Sequence, residues 1–506
     1  MPRSVLILVS IFLAGTLVSC GSYGNKTTYT APPPSPGGSA AVPLSLSMQD
    51  LSPAGVTLLS FQILVINGNL ISSDAANPPV PLAIKDADIE LEHLQSESAV
   101  LGNFSVPADT YNGANLSFDN VRMTILNRSG APLTVGGQAC ANNQVCKLVP
   151  PLNSKTVTIQ APTAPFPLTL KANSPVGLLV HFDVNASLAG DLSVSPVVDL
   201  KLLTSQPASG ALNKTHVTGS VTAINTSTKG FTLQPGLGGV AVAGAAGASA
   251  NQAAPLTIAT NAATVFNFND CKAADFSCLA AGQVVQALVN IMPDGTLLAI
   301  RVNELEQAHQ PSFDGTVTQV DLKNNQFLMA VMDAEWGSED DSQVRPVAVG
   351  AIVTVTVNPQ ATFSMDSEDV TNPNPTLLKF QSLSDVLVGQ SIEIKPLLPL
   401  VVTGVSPNVA ISVSTDQLRL NESQVTGKVT AVSSSATPPT ITLGSLPPLF
   451  TNSGISAIVV EITPKTDLDD VSGPSGFSVG DTVSVGGLLF NTPTLPAVLA
   501  DRVAKR

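Results

Sequence analysis

Three groups of residues in this chain have the types and spacing to do chemistry. The first is Leu17-Val18-Ser19-Cys20. One positive side chain, Arg3, and an apolar run from Val5 to Val18 precede it, the pattern of a secretory signal that is too short and too near the terminus to be a spanning helix. The second group is two close cysteine pairs, Cys140 with Cys146 and Cys271 with Cys278. In an exported chain their even number and tight spacing predict two short-loop disulfides. A zinc site is disfavoured, because both spacings are wider than a zinc knuckle's and no His lies near either pair. The third group is an acidic stretch, where Asp333, Glu335, Glu339, Asp340 and Asp341 offer the carboxylate oxygens that calcium takes. Trp336, the only tryptophan, lies in the same stretch and could stack on a sugar or a partner. The spacing is not that of an EF-hand, and charge clusters on loops are usually just solvated.

Leu17 and Ser19 ahead of Cys20 resemble the lipobox of bacterial lipoproteins. The resemblance implies cleavage that leaves Cys20 as the new N-terminus, carrying diacylglyceryl and N-acyl chains. Two or more such chains hold a protein stably on a bilayer. The implied partner is therefore a membrane reached through a lipid anchor, and the implied address is the cell envelope, at the outer membrane facing the periplasm or at the cell surface. Residues 1–19 read as the signal peptide. Residues 20–43, with their Pro and Gly spaced to prevent helix and strand, read as the lipidated N-terminus and a tether. Extended at ~3.1 Å per residue, that tether would span up to about 70 Å.

Other chemistry has little support. The four histidines, His93, His181, His216 and His309, form no His-Glu-x-x-His motif, and there is no Gly-x-Ser-x-Gly. His181 and Asp183, two apart on one strand face, could bind a metal, although a solvated pair is far commoner. Gly236-Leu237-Gly238-Gly239-Val240-Ala241 matches a dinucleotide fingerprint by letters, but Pro235 precedes it and no βαβ unit surrounds it. No catalytic residue and no cofactor are expected. With 12% charged residues and a formal net charge of −14, the chain should be repelled by nucleic acid and by anionic lipid. The first functional expectation is a non-enzymatic, lipid-anchored envelope protein whose domains act as spacer or binding surfaces. The second is a ligand-binding protein using calcium or a glycan at the Trp336 loop, with an envelope protein as another conceivable partner. An enzyme of unfamiliar type ranks third.

The elements that would position these groups are strands. Leu59 to Val65, Ile89 to Glu92 and Phe166 to Leu170 alternate apolar and polar residues, which buries one face of each strand. Leu116 and Phe118 keep one phase, then Val121, Met123 and Ile125 resume one residue out of step, which requires a bulge near Asp119 and Asn120. Turn signals such as Asn67-Gly68 and Pro293-Asp294-Gly295 between short strands predict an all-β protein of antiparallel sandwiches or barrels. Residues 44–204 are expected to form an N-terminal β-sandwich. Within them Val106-Pro107-Ala108-Asp109-Thr110-Tyr111, Asn115-Leu116-Ser117-Phe118, Leu179-Val180-His181-Phe182-Asp183-Val184 and Ser195-Pro196-Val197-Val198 resemble, in order, the landmarks of the family domain of unknown function 4382. The resemblance implies an all-β extracytoplasmic domain and brings no catalytic residues. Asp109 stands where that family more usually has Gly.

The remainder reads as one unit written three times, over residues 213–306, 312–420 and 424–506. Val217-Thr218-Gly219-Ser220-Val221-Thr222 recurs as Phe313-Asp314-Gly315-Thr316-Val317-Thr318 and as Val425-Thr426-Gly427-Lys428-Val429-Thr430. A second landmark, Gly282-Gln283, Gly389-Gln390 and Gly480-Asp481, starts an alternating strand in each unit. The pattern resembles a family of bacterial envelope repeats of unknown function, which implies small barrels or sandwiches of an oligonucleotide-binding-fold-like kind. Units of this length suit independent β domains joined like beads, each owning its core. In the third, that core is expected to comprise Val429, Val432, Ile441, Leu443, Val459, Ile462, Val483 and Val485.

Overall fold

The alternating segments of the N-terminal region become two long strands, Thr57–Ser72 and Thr110–Leu126, paired antiparallel with Thr57 opposite Leu126. They belong to a computed structural model that describes residues 41–51, 57–84, 87–91, 99–203, 214–235, 255–268, 271, 273–305, 311–335, 347–366, 373–403, 410–469, 471 and 473–505. Leu59, Phe61, Ile63 and Val65 are buried, as are Leu116, Phe118, Val121, Met123 and Ile125. The bulge demanded by the change of phase sits at Asn120, where φ is 47° and the register steps from Leu64–Asp119 to Gln62–Arg122. Asn67-Gly68 is not a turn but lies inside Thr57–Ser72 at another register shift. A Cβ on Gly68 would come within 3.1 Å of Leu116 and 3.2 Å of Ile84, so the glycine serves close packing.

These strands anchor a seven-stranded sheet that packs on a four-stranded one, ordered Val198–Leu202, Val176–Asp183, Ala41–Leu51, Ala99–Pro107. Phe182 from the second sheet meets Phe61 and Phe118 from the first at 6.2 and 5.8 Å between ring centroids. Ala41–Leu51 and Val176–Asp183 run parallel, Leu44 opposite Val176, whereas antiparallel neighbours were expected. A hairpin forces antiparallel pairing only between strands close in sequence, and these two are far apart.

The three repeats share one topology. The second comprises Ser312–Asp321, Gln326–Glu335, Ile352–Met365, Ser391–Thr403 and Ala410–Asn421, and the third Ser423–Ser433, Thr440–Gly444, Ile458–Asp469, Thr482–Phe490 and Ala497–Lys505. Both are closed five-stranded barrels in spatial order 1-2-3-5-4, with strands three and five parallel. In the first repeat, Lys214–Asn225, Gly230–Pro235, Val284–Ile291 and Leu297–Glu304 take the same places. Its third strand is split into Leu256–Ala259 and Val265–Asn267, both parallel to Leu297–Glu304, and the first of these closes the ring. This strand order is that of the oligonucleotide-binding fold.

The two repeated sequence landmarks are physically joined. Val221, Val317 and Val429 each donate their N–H to the carbonyl of Gln283, Gln390 and Asp481, at 2.8 Å in every case. Each also accepts at 2.8 Å from the glycine before that residue, Gly282, Gly389 and Gly480, whose φ values are 92°, 90° and 97°. A left-handed residue is required there, which explains the glycine. The side chain of the next residue reaches back to the loop, Gln283 Oε1 accepting from Ala280 N at 2.6 Å, Gln390 Oε1 from Leu387 N at 2.6 Å and Asp481 Oδ2 from Ser478 N at 2.8 Å. The Thr after each valine lies at a register shift, and its hydroxyl donates to a carbonyl of strand two, that of Thr232, Leu328 or Thr442.

The repeats are not separate beads. Leu488, Phe490, Ala497 and Leu499 of the third barrel belong to the hydrophobic core of the second, and Leu387 of the second packs on the core of the third. Val100 and Leu203 of the sandwich pack on the core of the first barrel. Thr124 of the sandwich donates to Gly350 O of the second barrel at 2.8 Å. In the third barrel the phase of strand three also differs from expectation. Ile458, Val460 and Ile462 are buried in its core, and Val459 faces outward and is only half-buried.

Candidate functional site

Cys140–Cys146 and Cys271–Cys278 are both disulfides, with Cα separations of 5.8 and 5.7 Å. The first closes the loop between Gln138–Cys140, which pairs with Leu133–Val135, and Val145–Leu148, which pairs with Thr110–Leu126, and there Asn127 Nδ2 donates to Ala131 O and Cys140 O at 2.9 and 3.0 Å. The second lies beside the short 3-10 turn Phe276–Cys278 of the first barrel. Both pin local loops against the sandwich or barrel wall.

Cys20, Trp336, Glu339, Asp340, Asp341 and the stretch 236–241 lie outside the described residues. Glu335 is the last residue of Gln326–Glu335, opposite Ser312, and Asp333 lies two residues earlier, opposite Asp314. Asp333 Oδ1 accepts from Ala334 N at 2.8 Å. Strand pairing places Asp333 in a row on the outer wall of the second barrel that runs Asp333, Asp314, Glu393, Arg419. Three carboxylates directly opposite one another repel, and the barrel compensates. Asp314 Oδ1 accepts from Ser391 Oγ at 2.7 Å and Oδ2 from the Asn421 side chain. Arg419 pairs with Asp366 at 2.8 Å and Glu393 at 3.7 Å. Sequence spacing could not show this row, because its members come from four different strands. Among the described residues no group of three or more His, Cys, Asp or Glu is placed to hold a metal ion.

His181 and Asp183 do not act as a pair. His181 Nδ1 lies 2.9 Å from Asp199 Oδ1 on the neighbouring strand, while Asp183 Oδ1 accepts from Ala186 N at 2.8 Å and caps the single turn Val184–Ser187. The landmark 106–111 is likewise architectural. Tyr111 is fully buried and donates its hydroxyl to Pro107 O at 2.8 Å, a tyrosine corner. Burial, with the nearby Asp109 carboxylate, pushes its pKa up to about 12. Asp109 in turn accepts from Ser72 Oγ and Thr110 N, both at 2.7 Å.

One charged cluster was invisible in the sequence. At the seam between the first and third barrels Lys214 Nζ lies 2.9 Å from Asp467 Oδ2, both side chains about four-fifths buried. Asp501 and Arg502 of Ala497–Lys505 are buried beside them. Burial alone would lower the Lys214 pKa, but the charge of Asp501 and then the hydrogen bond that Lys214 donates to Asp467 outweigh it, and the net direction is upward. The cluster holds charges that neutralise one another, which is a docking arrangement and not a reactive one.

The molecule is thus an all-β chain that joins a sandwich to three barrels of one topology. The family described as Domain of unknown function (DUF5666) matches residues 218–303 and 426–498, which lie in the first and third barrels. No curated protein and no solved structure matches the chain.

Proposed function

We propose that this is a non-enzymatic, lipid-anchored protein of the bacterial cell envelope, in which the residues between Cys20 and the first strand at Ala41 are the tether and the tandem β domains serve as spacer or binding surfaces. The observation that carries the reading is Leu17-Val18-Ser19-Cys20 directly after an apolar signal run. The two disulfides support an oxidising, exported location. The resemblance of residues 44–204 to domain of unknown function 4382 supports it as well. Cores filled by aliphatic and aromatic side chains, and polar side chains engaged in caps and seams, favour a binding role over catalysis. The outer membrane, facing the periplasm or the outside, is the address this reading favours.

Fractionation of cells expressing the wild-type chain and Cys20→Ser tests the anchor. Wild type should partition with membranes and carry acyl chains by mass spectrometry. Cys20→Ser should carry none, and acyl-free wild-type protein would refute the reading.

A further inference from the structure

Among the described residues ten large hydrophobic side chains are exposed, and four of them fall within six residues of one strand: Leu397 at 37%, Leu398 at 50%, Val401 at 56% and Val402 at 42%. This is the outer half of Ser391–Thr403, whose inner half places Ile392 and Ile394 in the core of the second barrel. Past a register shift between Leu397 and Val401 the strand stays paired with Ala410–Asn421, with Val401 opposite Ser412, Val402 opposite Ile411 and Thr403 opposite Ala410, and the far edge of Ala410–Asn421 is held by Ile352–Met365, so this outer half is an arm along the rim of the barrel. Successive residues of a strand point to opposite faces, so Val402 lies on the face of Ile411, which is buried in the barrel core, and Val401 on the outer face, and both valines remain exposed at the rim. Four exposed apolar side chains within six residues at a barrel rim suit a fluid apolar phase, which needs no matching groove.

The edge of the arm argues in the same direction. The first strand of the barrel pairs with Ser391–Thr403 only from Ser391 to Ile394, leaving the outer edge open. Pro396 and Pro399 in this half of the strand have no N–H to donate. They obstruct strand addition by a peptide or a second copy, and they reduce the number of donors that would lose water in an apolar medium. No charged residue occurs from Pro396 to Thr415. A net charge of −14 on the whole chain directs such an arm to uncharged lipid.

We propose that this arm is a second membrane contact, in which Leu397, Leu398, Val401 and Val402 enter the interfacial zone of a zwitterionic bilayer. The inference rests on the lipid-anchored reading. Residues 20–40 lead from Cys20 to the first sandwich strand at Ala41, a length that lets the folded body reach the surface it is tethered to. Once tethered, the arm meets the bilayer at an effective concentration of about millimolar, so a contact too weak to bind alone becomes populated.

The test uses the full lipidated chain on phosphatidylcholine vesicles. With Cys20 acylated and the other four cysteines in disulfides, Val401→Cys supplies the only thiol for an environment-sensitive fluorophore. The emission should shift to the blue on adding vesicles and be quenched by spin labels on the acyl chains. The same label at Leu322→Cys, equally exposed at 56% in a turn of the same barrel, should stay water-like. Val402→Asp, also at an exposed site, should abolish the quenching at position 401. A chain that floats with the vesicles while its Val401 label remains water-like overturns the inference and leaves the anchor standing. A chain that does not float overturns both, and a blue-shifted label without vesicles assigns the arm to a contact between copies and overturns the lipid contact.

Discussion

Gln390 Nε2 donates to Leu489 O at 2.8 Å, tying the base of the second barrel to the backbone of the third. The same fully buried amide donates to Asp385 O at 3.2 Å and accepts from Leu387 N. Its counterpart Gln283 donates instead to Glu304, within its own barrel and partly exposed. Gln390→Ala should therefore destabilise the chain by about 2–3 kcal/mol, because it leaves buried backbone groups without partners. Gln283→Ala should cost about 1 kcal/mol or less. Urea unfolding of both variants checks the difference.

The two corner glycines Gly389 and Gly480 have nearly the same φ, but their surroundings differ. A Cβ on Gly389 would lie 2.2 Å from Phe450 of the third barrel, whereas one on Gly480 would meet nothing within 4 Å. Gly480→Ala should lose only about 1–2 kcal/mol of backbone strain. Gly389→Ala should lose roughly 1–3 kcal/mol more and loosen the contact between the barrels. Equal midpoints for the two variants in thermal unfolding would contradict the packing described.

The Lys214 pKa is raised above its ordinary 10.5. A raised lysine stabilises the folded state fully below that ordinary value and loses the contribution as pH climbs through the higher folded value. The seam between the first and third barrels should thus hold at neutral pH and weaken only above 10.5. Lys214→Ala should cost about 2 kcal/mol at neutral pH, between the exposed-pair and buried-pair ranges. It should also flatten the alkaline limb of a pH–stability curve.

Glu461 has the same sign of linkage but acts in the acid range, so at neutral pH its contribution is already lost. Burial raises its pKa, and its Oε2 has no hydrogen-bond partner. Relative stability from this group is full below the ordinary glutamate value and falls as pH rises through the folded one. Glu461→Gln should therefore raise the unfolding midpoint at neutral pH and leave it unchanged in acid, which a chemical-denaturation series over pH would show.

Each disulfide closes a small loop, so each should contribute about 2 kcal/mol in the chain-entropy view. The variant lacking Cys140 and Cys146 should lose stability in the sandwich, and the one lacking Cys271 and Cys278 in the first barrel. Hydrogen exchange resolved by segment would separate the two.

Local pattern made much of the fold legible. The phase shift before Val121 announced the bulge at Asn120, and the three Gly-x-Val-Thr segments announced three barrels because each residue in them has a local geometric duty. Pattern failed where a residue's role depends on a distant partner. Asn67-Gly68 reads as a turn by composition, yet Leu116 and Ile84 dictate a straight, close-packed strand there. Val459 and Val460 are equally apolar, and only the facing barrel wall decides that Val460 points inward. The Lys214–Asp467 seam joins residues from the first and third repeats, so no spacing rule could reveal it. The acidic stretch that includes Trp336 was singled out by letters, and of its carboxylates only Asp333 has a described side-chain setting.

The strand Ala497–Lys505 is buried along nearly its whole length, lining the third barrel while Leu499 faces the second and Asp501 and Arg502 face the first. In a chain threaded N-terminus first across a membrane, this strand is delivered after most of the barrel residues it touches. Until then the second barrel presents an unfinished apolar wall that Leu488, Phe490 and Leu499 later cover. Folding thereby acquires an order of events. The early domains form their sheets while waiting, and arrival of one nine-residue strand completes contacts with all three barrels, so a stalled or clipped chain would display sticky surface to chaperones and proteases.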